Sequence, residues 1–395
     1  MTTAVRLDLS PAASSPLIDA AIALQPLIRE RADEIERTGR LPSDVVEAIR
    51  EAGLFHLTLP EDLGGLEADP VTASRVVEEI SLADGSAGWC VMIANQNGAI
   101  LGSFPQEETR ILTANRAVMC GTARPIGRAV ATEGGYIVSG RWPFASGSSH
   151  ASWFGGECVV YDGDQPRLDA DGNQVTRMCV MPRDSVTIHE TWDTTGLRGT
   201  ASNDFSCENV LVPADRGAQM LVTPPQHPWV LFRAPALVFT NHGSQALGVA
   251  RAAIENVAAI GKVKSGYGSD APMAQSPRLQ GPIAEATALV ESARHYLYAA
   301  TQQLWDALNA GASDEEVAPL RARVRLATSH AASSSVRAVD LVHAAIGTAS
   351  LFRKNPIERH FRDIHMAAAH VMIGPLTYEA AGRVELGLEA QFPFF

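Results

Sequence analysis

Apolar and polar positions follow two rhythms along this chain, and the rhythm changes twice. Over residues 17–84 the spacing is helical: Val45, Val46, Ile49 and Ala52 fall on one side of a short segment that Ser43 can cap and Gly53 can stop. Past Pro60 and the Gly64-Gly65 break, a second amphipathic segment starts at Val71. The run 87–101 is almost wholly apolar yet carries Asn95, Gln96 and Asn97 at its centre, which predicts a buried helix whose amides need partners. Between 118 and 212 short β-branched runs alternate with turn signals such as Gly134-Gly135, Asp171-Gly172 and Pro182-Arg183-Asp184, which predicts a β domain. From 236 onward Ala, Leu, Val and Glu recur at helical spacing, with long helices predicted over 237–261, 278–309, 314–346 and 356–387. The plan is mainly α with a central β domain: a helical domain over 1–117, the β domain over 118–215 and a helical bundle over 216–395.

Composition narrows the function classes. With 395 residues, 46% of them apolar and 19% charged, the chain can bury a large core. A formal charge of −12 repels phosphate backbones and anionic lipid heads, so neither nucleic acid nor membrane is an expected partner. No stretch approaches the roughly 18 uninterrupted apolar residues of a membrane span, and residues 1–15 lack a basic head followed by an apolar run; a cytoplasmic protein is expected. Cys90, Cys120, Cys158, Cys179 and Cys207 show no metal-binding spacing and are read as small core residues. His360, His365 and His370 stand in steps of five, which leaves neighbours about 140° apart around a helix, so a shared metal is not expected.

The segment Gly266-Tyr267-Gly268-Ser269-Asp270-Ala271 matches a dinucleotide fingerprint in letters only, because it follows a helical segment in the turn-rich stretch 262–277 instead of a strand. Phosphate-loop, zinc-hydrolase and nucleophile-elbow motifs are missing from the sequence.

Two stretches of the β region gain meaning together. The first is Gly140-Arg141-Trp142-Pro143-Phe144-Ala145-Ser146-Gly147-Ser148-Ser149-His150, and the second runs from Trp192 through Arg198-Gly199-Thr200-Ala201-Ser202. Small residues around aromatics let backbone approach a flat ring and offer amide and hydroxyl groups to its polar edge, which suits isoalloxazine. A helical scaffold or binding module would leave both stretches without a ligand. With residues 54–65 and the late Arg359-His360-Phe361-Arg362-Asp363-Ile364-His365, their order resembles the acyl-CoA dehydrogenase superfamily over nearly the whole chain. The resemblance is closest to its flavin-dependent monooxygenase branch, the oxygenase components that hydroxylate phenols and indoles.

That resemblance implies an N-terminal helical domain, a middle β-barrel or sandwich and a C-terminal four-helix bundle. It also implies reduced flavin, as FADH2 or FMNH2, and O2 as cofactors, a flavin C4a-hydroperoxide as oxidant, a separate NAD(P)H-dependent flavin reductase, an aromatic substrate and a homotetramer. Candidate flavin contacts are Trp142, Phe144, Ala145, Ser146, Trp192, Arg198, Gly199, Thr200 and Ser202; Asn95, Gln96 and Asn97 are candidates for the substrate cavity. His370 falls where this branch carries a helical histidine and is the candidate base, since a group of reference pKa near 6.5 can take a ring proton at neutral pH; Ser146 is the second catalytic candidate. The rival is an acyl-CoA dehydrogenase with Glu379 as base, but Tyr378-Glu379 is followed by Ala380-Ala381 and stands far later after Arg362-Asp363 than in that family.

Overall fold

The computed structural model describes residues 15–395 except 221, 267, 269, 393 and 394, so the reading of residues 1–14 and of Tyr267 and Ser269 lies outside the described residues. The chain opens with α1 (Pro16–Thr38), whose N-terminus is capped by the Ser15 hydroxyl and whose end turns at Gly39 with φ 68°. In α2 (Ser43–Glu51) Ser43 is the first helical residue and not the cap, because Pro42 holds that position. Aspartates start the next two helices: Asp69 accepts from two backbone amides of α3 (Pro70–Ala83), and Asp84 does the same for α4 (Gly85–Ile100). Then α5 (Gln106–Thr113) leads into the sheet.

The β domain is one mixed sheet built from β1 (Met119–Thr132), β2 (Gly135–Ala145), β3 (Trp153–Asp162), β4 (Gln165–Pro166), β5 (Thr176–Pro182), β6 (Thr187–His189), β7 (Asn203–Pro213) and β8 (Gly217–Ala218). Its order is β6-β7-β2-β1-β3-β5-β8, with β4 beside β3; β1 and β3 run parallel and the other pairs antiparallel. Trp142 is the centre of its core. The indole stacks on Phe205 at 5.0 Å and donates from Nε1 to the Glu157 carbonyl at 2.9 Å. Gly127, Gly140 and Gly156 make room for it: a Cβ on any of them would lie within 3 Å of the ring.

The bundle comprises α6 (Thr240–Val263), α7 (Pro277–Asn309), α8 (Asp314–Ala345) and α9 (Pro356–Ala368), with α10 (Pro375–Glu385) against α8. The single helix predicted over 356–387 is therefore two. Pro375 lacks an amide hydrogen and keeps Gly374 out of helical geometry (ψ −174°), and His370 stands in the break with extended dihedrals (φ −70°, ψ 133°). His370 is thus a loop residue, contrary to the helical placement expected. All five cysteines are free and buried.

Two buried charges mark the bundle. Glu78 of α3 is wholly buried and clasped by Arg251 of α6 (2.5 Å), Arg294 of α7 (2.8 Å) and the Tyr298 hydroxyl. Arg325 of α8 is equally buried, but among the described residues its one hydrogen bond runs from Nη2 to the Met372 carbonyl at 2.9 Å, and Nε and Nη1 have no partner.

Candidate active site

The segment between β6 and β7 is gripped by α9. Asp363 Oδ1 accepts from Leu197 N at 2.6 Å, Arg362 donates to the Thr195 carbonyl, and a Cβ on Gly196 would collide with the Arg362 backbone at 2.4 Å. Burial, and then the neighbouring Asp84 carboxylate, push Asp363 up to about 7. The late Arg362-Asp363 pair therefore positions the loop that precedes β7.

From that loop a chain of hydroxyls runs inward. Thr200 Oγ1 donates to the Leu197 carbonyl at 2.9 Å and meets Ser202 Oγ at 2.7 Å; Ser202 Oγ meets Ser146 Oγ at 2.7 Å. Ser146 in turn accepts from Trp89 Nε1 at 3.1 Å. The Trp89 ring sits edge-on to two stacked imidazoles, His242 at 5.5 Å and His370 at 5.7 Å, whose centroids are 4.4 Å apart. Ser146 and His370, far apart in sequence, are so joined through Trp89. Neither Trp89 nor His242 stands out in the sequence: one lies in an apolar helical run and the other is a lone histidine at the start of a helix, and only the fold sets them against His370.

Burial, reinforced by the Arg325 charge, lowers His370 to about 4, and the Met372 amide donates to its Nδ1 at a long 3.3 Å. Burial first, then the charges of His370 and Arg325, hold His242 well below the ordinary histidine value; neither of its ring nitrogens has a partner among the described residues. Both rings are neutral near pH 7. The other two late histidines point elsewhere, His360 to Asn256 (2.8 Å) and His365 to Asp340 (2.9 Å).

Several expected contacts have structural roles. Trp142 is enclosed in the β core and shows no face to a ligand, and Ala145 is wholly buried. Arg198 braces the loop, donating to Thr194 O at 2.7 Å and Asp193 at 3.2 Å and lying 3.8 Å from Glu36. Gly199 lets the loop pack on α1, since a Cβ there would stand 2.1 Å from Ile35. Asn95 ties α4 to Leu54 and Thr58 and also donates back to the Val91 carbonyl within α4, and Asn97 donates to Met119 O at 3.0 Å, so both are satisfied by the protein. Gln96 differs: its buried Nε2 has no partner among the described residues, and it lines a cavity of about 360 Å³ with Ile100, Met220, Phe232, Val238, Phe239, Arg233, Asp314 and Arg321. Glu379 lies on the exposed side of α10.

At the surface end, Phe144 is 61% exposed at φ 66° and meets the half-buried Trp192 edge to face at 6.3 Å. A bulky residue held at positive φ is strained, and strain of this kind clusters at ligand-binding sites. These rings beside the Ser146, Ser202 and Thr200 hydroxyls fit a flat heteroaromatic group with a polar edge.

This arrangement is that of a flavin-handling acyl-CoA dehydrogenase fold. Family profiles for the acyl-CoA dehydrogenase N-terminal and C-terminal domains match residues 22–110 and 240–375, and the chain belongs to that family, in its flavin-dependent monooxygenase branch. It is 30% identical to the indole-3-acetate monooxygenase of Pseudomonas putida over 96% of this chain and 95% of that one. It is also 30% identical to a flavin-dependent monooxygenase oxygenase subunit, HsaA, of Rhodococcus jostii, over 93% and 97% of the two chains. The solved structure of XiaF from a Streptomyces species, in complex with FADH2 and glycerol, superposes with a TM-score of 0.86 at 26% identity, covering 95% of this chain and 96% of that one.

Proposed function

We propose that this chain is the oxygenase component of a two-component flavin-dependent monooxygenase, using reduced flavin (FADH2 or FMNH2) and O2 to hydroxylate an aromatic small molecule of the indole or phenol type. The observation that carries this reading is the connected line from the Ser146–Ser202–Thr200 hydroxyls through Trp89 to the neutral His242–His370 pair. Phe144, Ser146, Trp192, Thr200 and Ser202 are the residues that would hold the flavin, which supplies the electrons that activate O2. His370 takes the ring proton as oxygen is inserted: it is unprotonated at neutral pH, and the long bond to Nδ1 leaves that lone pair weakly engaged. Ser146 orients the reacting group through its hydroxyl, while Trp142, Ala145, Arg198 and Gly199 support the site from behind.

With no strand-to-helix dinucleotide motif in its sequence, the chain draws reduced flavin from a separate NAD(P)H-dependent reductase. No helix of the described residues is long and apolar enough to cross a membrane, and the five free cysteines favour the cytoplasm. Exposed Leu351, Phe352, Leu376 and Leu386 on the C-terminal segment favour a homotetramer, which light scattering on a sizing column checks.

The deciding experiment supplies the purified chain with a flavin reductase, NADH and an indole or phenol under ¹⁸O₂. Label from O2 is expected in the ring product, with no NADH consumed when the reductase is omitted. Bleaching of bound oxidised flavin by an acyl-CoA, without oxygen incorporation, would instead establish the dehydrogenase with Glu379 as base.

A further inference from the structure

Burying a guanidinium without an anion is costly, because the interior replaces neither its hydration nor its lost hydrogen bonds. Arg325 is in that condition: it is wholly buried, bonded once to the Met372 carbonyl, and Nε and Nη1 are unpartnered. No described carboxylate forms an ion pair with it, and burial alone lowers its pKa to about 10, so it stays charged at neutral pH. Two half-buried arginines show what this fold does when a cation is structural: Arg251 and Arg294 both close on the buried Glu78. Among the described residues Arg325 has no such partner, which leaves its N–H groups to a bound anion.

Its place says what. The guanidinium lies over the Phe239 ring at 5.2 Å, with Phe392 on another side at 5.9 Å. Phe239 stacks on His242 at 6.3 Å with planes 8° apart, and His242 stacks on His370. The carbonyl that Arg325 holds belongs to Met372, whose amide binds His370. The cation therefore stands at one end of a run of rings that ends at the proposed base. Phe239 is also a wall of the 360 Å³ cavity, along with Gln96 and two more cations, Arg233 and Arg321, of which Arg321 is paired to Asp314 at 2.9 Å. That volume is at the size of a small-ligand site, and its apolar walls suit a ring.

We propose that Arg325 is the anchor for a carboxylate on the substrate, so that this enzyme acts on aromatic acids whose carboxylate is carried on a short arm from the ring. The proposal rests on the reading of the site as an aromatic hydroxylase and adds the substrate's charged group. One buried cation balances one negative charge, which fits a monocarboxylate better than a phosphate ester. Its unpartnered N–H groups gain charge-assisted hydrogen bonds on binding. In the cavity wall Asp314 balances Arg321, and Arg233 adds one positive charge that draws the acid inward despite the chain's net negative charge. A neutral analogue of the same shape forgoes those bonds and leaves the cation unsatisfied, so discrimination is against missing charge more than against ring size.

The test is a binding titration, which needs no turnover. The full chain, loaded with reduced flavin under nitrogen, is titrated calorimetrically with indole-3-acetate and a hydroxyphenylacetate, and with the amide of each. The parent is expected to bind at least one acid roughly 10- to 150-fold more tightly than its amide, the range of a charge-assisted hydrogen bond. Arg325→Met is expected to lose that preference, keep the amide affinity, and melt no lower than the parent without ligand, since an unpaired buried charge has been removed. Arg325→Lys keeps the charge on a different geometry and is expected to retain a reduced preference for the acid, which covers the case in which the methionine variant does not fold. Equal binding of acids and amides by the parent, failure of both acids to bind, or an acid preference unchanged in either variant overturns the assignment. If acid binding depends on Arg325 while no ¹⁸O enters any ring, the carboxylate site stands and the hydroxylase reading falls.

Discussion

Glu78 on α3 and Arg325 on α8, one from each helical part of the molecule, are both fully removed from solvent, yet they do opposite things. Glu78 is met on several sides, by Arg251, Arg294 and Tyr298, and so joins α3 to α6 and α7. Arg325 is met by one carbonyl and adjoins the His242–His370 pair. A compensated buried charge holds the fold at little net gain, whereas an uncompensated one keeps interaction energy in reserve for a ligand. The difference separates scaffold from site without reference to sequence motifs.

The largest expected effect falls on the site side. His370→Ala should still fold, by circular dichroism, and lower ring hydroxylation by about 10²- to 10⁴-fold, while Glu379→Gln stays near the parent rate because that carboxylate is exposed. If the two variants exchange these outcomes, the base has been misassigned. On the scaffold side, Glu78→Ala strips two arginines of their common partner and should cost about 3–5 kcal/mol in urea unfolding. A loss under 1 kcal/mol would show that the clasp is as dispensable as a surface ion pair, and the contrast with Arg325 would lose its basis.

Ser146→Ala should be milder. It breaks the link between Trp89 and Ser202, so a larger share of the oxygen consumed is expected to appear as free hydrogen peroxide; unchanged coupling of oxygen use to product makes Ser146 a turn residue.

The smallest effect is on pH dependence. His56, His150 and His370 are each lowered to about 4 and His360 to about 3, chiefly by burial. Between these values and the unfolded 6.5 the unfolded chain binds more protons, so their contribution to stability is complete above pH 6.5 and declines as pH falls toward 4. Asp363 and Glu157, raised to about 7 mainly by burial, and Asp84, also raised by burial, act oppositely across that range but are fewer than the histidines. Melting temperature should therefore drop between pH 6.5 and 4.5, and by less in His370→Ala; a flat profile would mean that these rings are not buried as neutral groups.

Much of this was legible in the sequence, for reasons that differ by region. The three-part plan followed from periodicity, and Ser146, Ser202 and Thr200 drew notice as hydroxyls set among glycines and aromatics. Trp142 carried the same local signal but a different fate: it faces the sheet core, whereas Phe144, which strict alternation would put on the same face, is turned to solvent by its positive φ at the register shift between Trp142 and Ala145. Asn95 and Gln96 are adjacent and polar, yet a helix points them about 100° apart, one at backbone acceptors and one at the cavity. Pairings across the fold were beyond reach: nothing local marks Trp89, His242 or Arg325, whose importance comes from elements far apart in the sequence.

The sheet order has a consequence for how the chain is made. β2 lies between β1, which directly precedes it, and β7, which begins only at Asn203, after the α9-gripped loop. Its outer edge, with Trp142 beside it, waits unpaired while β3, β5 and β6 are synthesised, and the parallel β1–β3 pairing cannot form as a local hairpin. Until β7 arrives, a nascent chain offers that edge to any neighbour, so aggregation during expression should track how fast residues 203–213 follow and fall when the temperature slows collapse of the half-made sheet.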